Sequence, residues 1–372
     1  MADRTTHAEA IDIIETVGHA HWVHVVGPIG CGKSSMLKTL AKRKPEFQAI
    51  HLDIPTMDFP DIFMPSVDKE KEESMLFLNR TFGKNDPRPK IYNYDEWTKG
   101  MEHIKVVTLQ QLLHLSFGGW VAPEGTIRFS TGNLGDEGVG DTIMAHAQNR
   151  FIELELSKPT PNELIEYGYD NQWAPEILAL IGEVPECLDD YRDMKDSDGK
   201  DEKERIMDNP YIHDPKATKG QFVTPRSLEA GSNSVKLFGA NKNLKESYAR
   251  ELMYRACAGA WGQALTDKFR TIMNTSDQLP RWQDVVDNPE STMLPKSGIA
   301  ETILVNKAKS QVTRDSMSSF MTYLNRIESL ETQCLFANLM YRSNKSQEIA
   351  MRNRLFNEWA NENKWVWAGD KV

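Results

Sequence analysis

One stretch constrains this chain more than anything else in it. Gly27-Pro28-Ile29-Gly30-Cys31-Gly32-Lys33-Ser34 follows the apolar run Trp22-Val23-His24-Val25-Val26 and precedes residues whose apolar positions, Leu37, Leu40 and Ala41, recur at helical spacing. Strand, glycine turn and helix in that order let backbone N–H groups converge on a phosphate, and the helix adds its positive N-terminus. The pattern G-x-x-x-x-G-K-[ST] is met in full. In that geometry Lys33 reaches the β- and γ-phosphates of ATP, and the Ser34 hydroxyl ligates Mg²⁺. Gly27, Pro28, Gly30, Cys31, Gly32, Lys33, Ser34 and Ser35 are therefore the expected phosphate-binding residues. The Cys31 thiol faces a helix N-terminus, which lowers a thiol pKa; it is also simply a small side chain that fits there.

A phosphate loop needs a second strand ending in acid. Lys90-Ile91-Tyr92-Asn93-Tyr94-Asp95-Glu96 supplies one. Asp95 is placed to hold Mg²⁺ and Glu96 to polarise the attacking water. Asn93 is polar in a strand expected to be buried on both faces, so it needs a partner across the sheet or a place near an edge. Further strands are expected at 49–54, 126–131 and 151–156, with helices at 8–17 (stopped by Gly18), 108–115 and 141–149. Residues 55–90 read as a largely exposed insertion carrying a short helix. Gly118-Gly119 and Pro123-Glu124-Gly125 read as turns.

The pattern changes after residue 157. Thr160-Pro161-Asn162-Glu163 is a capping box with proline at the first helical position, and helical spacing prevails from there to the end. Thr224-Pro225-Arg226 restarts a helix. Residues 186–220 carry an acidic, lysine-interrupted stretch (Asp189-Asp190, then Asp196 to Arg205) that reads as a solvated or mobile loop, with mobility expected near 190–218. Three units follow: an α/β nucleotide-binding core at 1–157, a helical lid at 158–245 with the acidic loop inserted, and a helical C-terminal region at 246–372.

Composition narrows the classes. The chain has 372 residues, 40% of them hydrophobic, and nine tryptophans, enough for real cores. Its net charge of −10 argues against unspecific nucleic-acid binding by the whole surface. A mean hydropathy of −0.53 and the lack of a long apolar run argue against a membrane span. No apolar signal core follows Met1-Ala2-Asp3-Arg4, and Cys31, Cys187, Cys257 and Cys334 form no C-x-x-C pair. A reducing cytoplasm suits such a chain better than a disulfide scaffold or zinc ribbon does.

Taken together, the phosphate loop and Asn93-Tyr94-Asp95-Glu96 resemble the Walker A and Walker B positions of the AAA+ ATPases. Within them the resemblance is to the MoxR branch, phage-encoded members included. Ser130-Thr131-Gly132-Asn133 resembles the sensor 1 strand end, with Asn133 as the polar sensor. Gly138-Val139-Gly140-Asp141 through Asn149-Arg150-Phe151 resembles the family's helix ending in "RF", which makes Arg150 the arginine finger. Thr224-Pro225-Arg226 resembles sensor 2. The resemblance covers residues 5–245 and implies a central, mainly parallel sheet followed by a helical lid. It also implies ATP and Mg²⁺ as ligands and a homo-oligomer, commonly a hexameric, chaperone-like ring with a von Willebrand A-type partner, in the bacterial host cytoplasm if phage-encoded. Each role has a plainer alternative. Asn133 can close a turn after Gly132, Arg226 can sit on the surface of a proline-started helix, and Arg150 can complement a helix C-terminus.

Two other classes stay open at this stage. Lys236, Lys242, Lys245 and Arg250 would serve a nucleic-acid motor of helicase or clamp-loader type, although such a run also makes a solvated helix face. A small-molecule kinase would use the same loop without Arg150. If a ring forms, Phe59, Phe63 or Trp120, in the 55–85 insertion and the 118–125 turn, are the expected substrate-gripping side chains.

Overall fold

The computed structural model describes residues 4–70, 73–134, 149–194, 209–212, 220–342 and 344–364. The fold is α/β in its first part and helical thereafter. Five parallel strands make the central sheet: β1 (Trp22–Gly27), β2 (Gln48–Asp53), β5 (Lys90–Asp95), β8 (Ile127–Asn133) and β9 (Phe151–Glu155), in the order β2-β5-β8-β1-β9; two antiparallel pairs lie outside it, β3 (Phe63–Asp68) with β4 (Glu73–Leu78) and β6 (Ser116–Phe117) with β7 (Trp120–Val121). Alternation sorts the side chains of each strand onto two faces. Val23, Val25, Ile91, Ile127 and Phe129 pack with Ile11, Ile14, Met36 and Leu40, from helices α1 (His7–Val17) and α2 (Ser35–Arg43). Trp22, Tyr92 and Tyr94 pack on the other face with Trp97, Ile104 and Leu112. Because both faces are covered, the strands read as apolar runs.

Local chemistry explains the boundaries. The Thr6 side chain accepts from the Glu9 N–H while the Glu9 side chain accepts from the Thr6 N–H, a capping box that starts α1. Gly18 ends it, donating to the Ile14 carbonyl. Asn93 is fully buried and lies in an interior strand; its partner is across the sheet, with Nδ2 3.5 Å from His51 Nδ1. Arg128, buried at the start of β8, donates to the carbonyls of Gly18, His19 and Ala20 beyond α1, and to Leu112 and Leu113 near the end of the helix Glu102–His114. One guanidinium thus satisfies orphan carbonyls at two helix ends.

Four expectations need correction. The 55–90 insertion holds not only the short helix Phe59–Ile62 but an antiparallel hairpin, β3 (Phe63–Asp68) with β4 (Glu73–Leu78). Met64, Val67, Met75, Leu76 and Phe77 on it are exposed, but Phe63 is buried: its ring sits where a Cβ on Gly118 would fall, so it anchors the hairpin and cannot grip a substrate. The helix expected at 108–115 begins at Glu102. Of the acidic pair, Asp189 is exposed as expected, but Asp190 is not freely solvated. Asp190 is buried and bonded to Arg192, whose guanidinium also holds Glu155 at 2.6 Å and the Leu156 carbonyl at 3.1 Å. Burial opposes ionisation of Asp190, but its bonds with Arg192 outweigh this and hold its carboxyl below the ordinary value. The helix expected at 141–149 and most of the 190–218 run lie outside the described residues.

In the helical part, Thr160 and Thr224 each begin a helix, Pro161–Asp170 and Pro225–Ala240, with reciprocal capping bonds to Glu163 and Ser227. One apolar core runs from Leu164 and Ile177 through Leu228, Cys257, Trp261 and Phe269 to Ile303. Gly231 makes it compact, since a Cβ there would lie 1.7 Å from the Trp261 ring. A second core gathers Val285, Phe320, Phe336, Phe356 and Trp359.

Candidate active site

Parallel strands deliver the chemistry to one place, because all five end on the same edge of the sheet. Gly27, Asp95 and Asn133 are the last residues of β1, β5 and β8. Gly27 and Asn133 are direct register partners. Between β1 and α2 the chain turns tightly: Gly30 and Gly32 have φ of 72° and 96°, where a side chain is strained. Gly30 has a second reason to be glycine, since a Cβ would lie 2.8 Å from Thr224 Cβ. The phosphate loop therefore abuts the start of the helix Pro225–Ala240. Arg226, in that helix's first turn, is exposed.

Lys33 is buried, and its Nζ donates to the Gly27 and Pro28 carbonyls at 2.7 and 2.9 Å. Ser34 donates from Oγ to the Asp95 carboxylate, at 3.0 Å to Oδ2 and 3.3 Å to Oδ1. A hydroxyl and a carboxylate so close form a hard-oxygen pair of the kind Mg²⁺ takes, so the residues present fit that ion. Glu96 follows in the left-handed region with φ 49°, and its carboxylate is 2.7 Å from Lys99 Nζ. Pro28 and Cys31 are buried in the loop, and Ser35 Oγ donates to the Gly32 carbonyl at 2.7 Å.

Sequence reasoning assigned no role to three residues that the fold brings here. His7 donates from Nε2 to the Gly32 carbonyl at 3.2 Å and lies 3.1 Å from Ser35 Oγ, and burial lowers its pKa. Lys99 pairs with Glu96. Thr131 bonds to both acids of the Asp95-Glu96 turn. The only signal for His7 was the Thr6–Glu9 capping box, which fixes where α1 begins. Nothing local marks the other two.

Arg150 is elsewhere. It is exposed and immediately precedes β9, whose first residue, Phe151, is the register partner of Trp22. Trp22 and Gly27 are the two ends of β1, so Arg150 lies at the opposite edge of the sheet, a strand length of roughly 17 Å from the phosphate loop.

A cleft of about 570 Å³ opens just past β9, lined by Lys158, Thr160, Leu188, Asp189 and Asp193 among others. Leu156, the residue before this segment, has its Cβ 2.9 Å from where a Cβ on Gly27 would be. Among the described residues, no His/Cys/Asp/Glu cluster could hold a metal by those side chains alone, and no helix is long and apolar enough to cross a membrane.

No protein-family model and no curated protein matches the chain. Solved structures do. A protein of Cytophaga hutchinsonii described as an ATPase aligns over 44% of this chain and 49% of its own, at 15% identity and a TM-score of 0.31. NtrX from Brucella abortus, in complex with ADP, aligns over 73% of this chain and 63% of its own, at 14% identity and a TM-score of 0.32. A RuvB variant from Thermotoga maritima aligns over 86% of this chain and 85% of its own, at 13% identity and a TM-score of 0.31. The alignment thus spans about half of the first protein and under two thirds of the second. Likeness at this level says nothing of activity.

Proposed function

We propose that the chain is an ATP-hydrolysing AAA+ motor of the MoxR type, phage-encoded, working in the cytoplasm as a homohexameric ring that remodels protein complexes. The observation that carries this reading is the contact of Ser34 with Asp95 at the foot of the glycine loop, with Glu96 next in the chain and Asn133 on the adjacent strand end. On arrival of ATP, Lys33 exchanges its two loop carbonyls for phosphate oxygens, gaining charge-assisted bonds. Ser34 and Asp95 would hold Mg²⁺, which would supply positive charge to offset that of the phosphates. Glu96 takes the proton of the attacking water, and Asn133 orients that water. Arg226, two residues past the Thr224 that abuts Gly30, meets the γ-phosphate and ties its loss to the helical part. Arg150, a strand length from its own loop, serves a neighbouring subunit as arginine finger.

The moving units in this reading are the core 1–157, the lid 158–245 and the C-terminal region 246–372. The core shared from Leu164 to Ile303 makes the lid carry the first C-terminal helices with it. The apolar hairpin at 63–78 contacts the substrate, and a von Willebrand A-type protein is the partner.

The first test is Lys33→Ala with a fluorescent ATP analogue. Affinity should fall on the order of 100-fold, the worth of charge-assisted bonds, with the melting temperature unchanged. Equal affinity in both proteins would sink the reading. Mass measurement of Glu96→Gln with ATP should give a hexamer. ATPase stimulation by unfolded polypeptide, and none by DNA or RNA, supports protein remodelling over a nucleic-acid motor.

A further inference from the structure

The Asp95-Glu96 turn carries the two acids of the proposed site, and a single side chain holds both. Thr131 is completely buried in β8. Its Oγ1 donates to Asp95 Oδ1 at 2.5 Å and accepts from the Glu96 N–H at 3.0 Å. Ser34 Oγ lies closer to the other oxygen of the same carboxylate, Oδ2, at 3.0 Å. The turn needs such a hold. Glu96 sits in the left-handed region, where a residue with a Cβ is strained and stays only when its surroundings over-determine it. Thr131 and Asn133, two residues apart on one strand, share a face of the sheet. The strand end that presents Asn133 therefore also sets the pose of Asp95 and the backbone of Glu96.

Resting on the reading of this site as one for ATP and Mg²⁺, we infer that Thr131 is the positioning residue that aims Asp95 at the metal and Glu96 at the water. The role needs a hydroxyl, because one atom must donate to a carboxylate and accept from an amide at once. Valine has the same shape and can do neither. Serine keeps the hydroxyl and loses a methyl group. Among the described residues, the side-chain bonds of Thr131 go to Asp95 and Glu96, so its removal acts on the acids rather than on the loop's hold on phosphate.

The experiment measures ATP-analogue affinity with Mg²⁺ and with EDTA, together with turnover and melting temperature, for wild type, Thr131→Val and Thr131→Ser. In Thr131→Val the gain in affinity on adding Mg²⁺ should shrink by about 10- to 100-fold, the usual effect of removing a group that orients a metal ligand. Affinity in EDTA should stay at the wild-type value, turnover should fall, and Thr131→Ser should restore both metal response and turnover. A Thr131→Val protein with wild-type Mg²⁺ response overturns the inference. So does a Thr131→Ser protein as impaired as Thr131→Val, because packing rather than the hydroxyl would then be what matters. If Thr131→Val does not fold, Thr131→Cys replaces it: its weak S–H donor should also cost metal response, and a wild-type response there overturns the inference. Failure of the wild type to bind ATP at all is a different result. It removes the site reading itself, and this inference with it.

Discussion

The two edges of the central sheet are built from the same five strands and do opposite things. At the edge where the strands end, polar groups hold partners that an incoming ligand can compete for: Lys33 on loop carbonyls, Ser34 on Asp95, Lys99 on Glu96. Toward the edge where they begin, polar groups are locked away. Arg128 is spent on five backbone carbonyls at two helix ends. Trp22 Nε1 donates to Ser130 Oγ, and that hydroxyl lies 2.7 Å from His24 Nδ1 inside a cage of Trp22, Trp97 and Phe151 rings. Partners that a ligand can displace make a site. Partners that nothing can displace make a scaffold.

If the contrast is right, substitutions at the ending edge should change turnover and spare stability, and those toward the beginning edge should do the reverse. The largest effect is expected for Glu96→Gln, which should bind ATP normally and turn over about 10²–10⁴-fold more slowly, with an unchanged melting temperature. Normal turnover would move the base elsewhere. Arg150→Ala breaks the contrast on purpose, because Arg150 stands at the scaffold edge of its own subunit. It should keep ATP binding and lose roughly 10³-fold in turnover, or about 4 kcal/mol. Mixing it with Glu96→Gln subunits should restore activity where an intact Arg150 meets an intact Glu96. No recovery, with subunit exchange verified, would assign Arg150 to the scaffold after all.

Arg128→Met tests the other side. It leaves buried helix-end carbonyls unsatisfied and should cost about 3 kcal/mol in chemical denaturation, with ATP affinity unchanged in the folded fraction. The smallest effect concerns His24, whose pKa burial lowers from 6.5 to about 3. Between those values the unfolded chain binds a proton that the folded one refuses, so stability falls as pH falls, by up to about 1.4 kcal/mol per unit. From pH 6.5 to 5 the wild type should therefore lose about 1–2 kcal/mol more than His24→Phe does. Parallel curves would mean that His24 titrates normally.

The legible parts of this protein were those whose signal is local. The phosphate loop, the acid pair after β5, and the Thr160 and Thr224 capping boxes each lie within a few consecutive residues, so spacing alone exposes them. The β3–β4 hairpin was missed because both its faces carry exposed apolar residues, which hides the alternation that marks a strand with one buried face. The burial of Asp190 was missed because its charge reads as solvated until Arg192 and Glu155 are seen beside it.

By itself the sequence determined the α/β order, the loop that turns toward phosphate, and the point near residue 158 where helices take over. These follow from periodicity and from the dihedral freedom of particular glycines, which neighbours along the chain decide. Only the tertiary structure decided that Thr131 holds both acids, that His7 lies against the loop, that Arg128 closes two helices, and that Arg150 stands a strand length away from its own phosphate loop. Those are distances between residues far apart in the chain. They exist only once parallel pairing has brought all the strand ends to one edge and all the strand starts to the other.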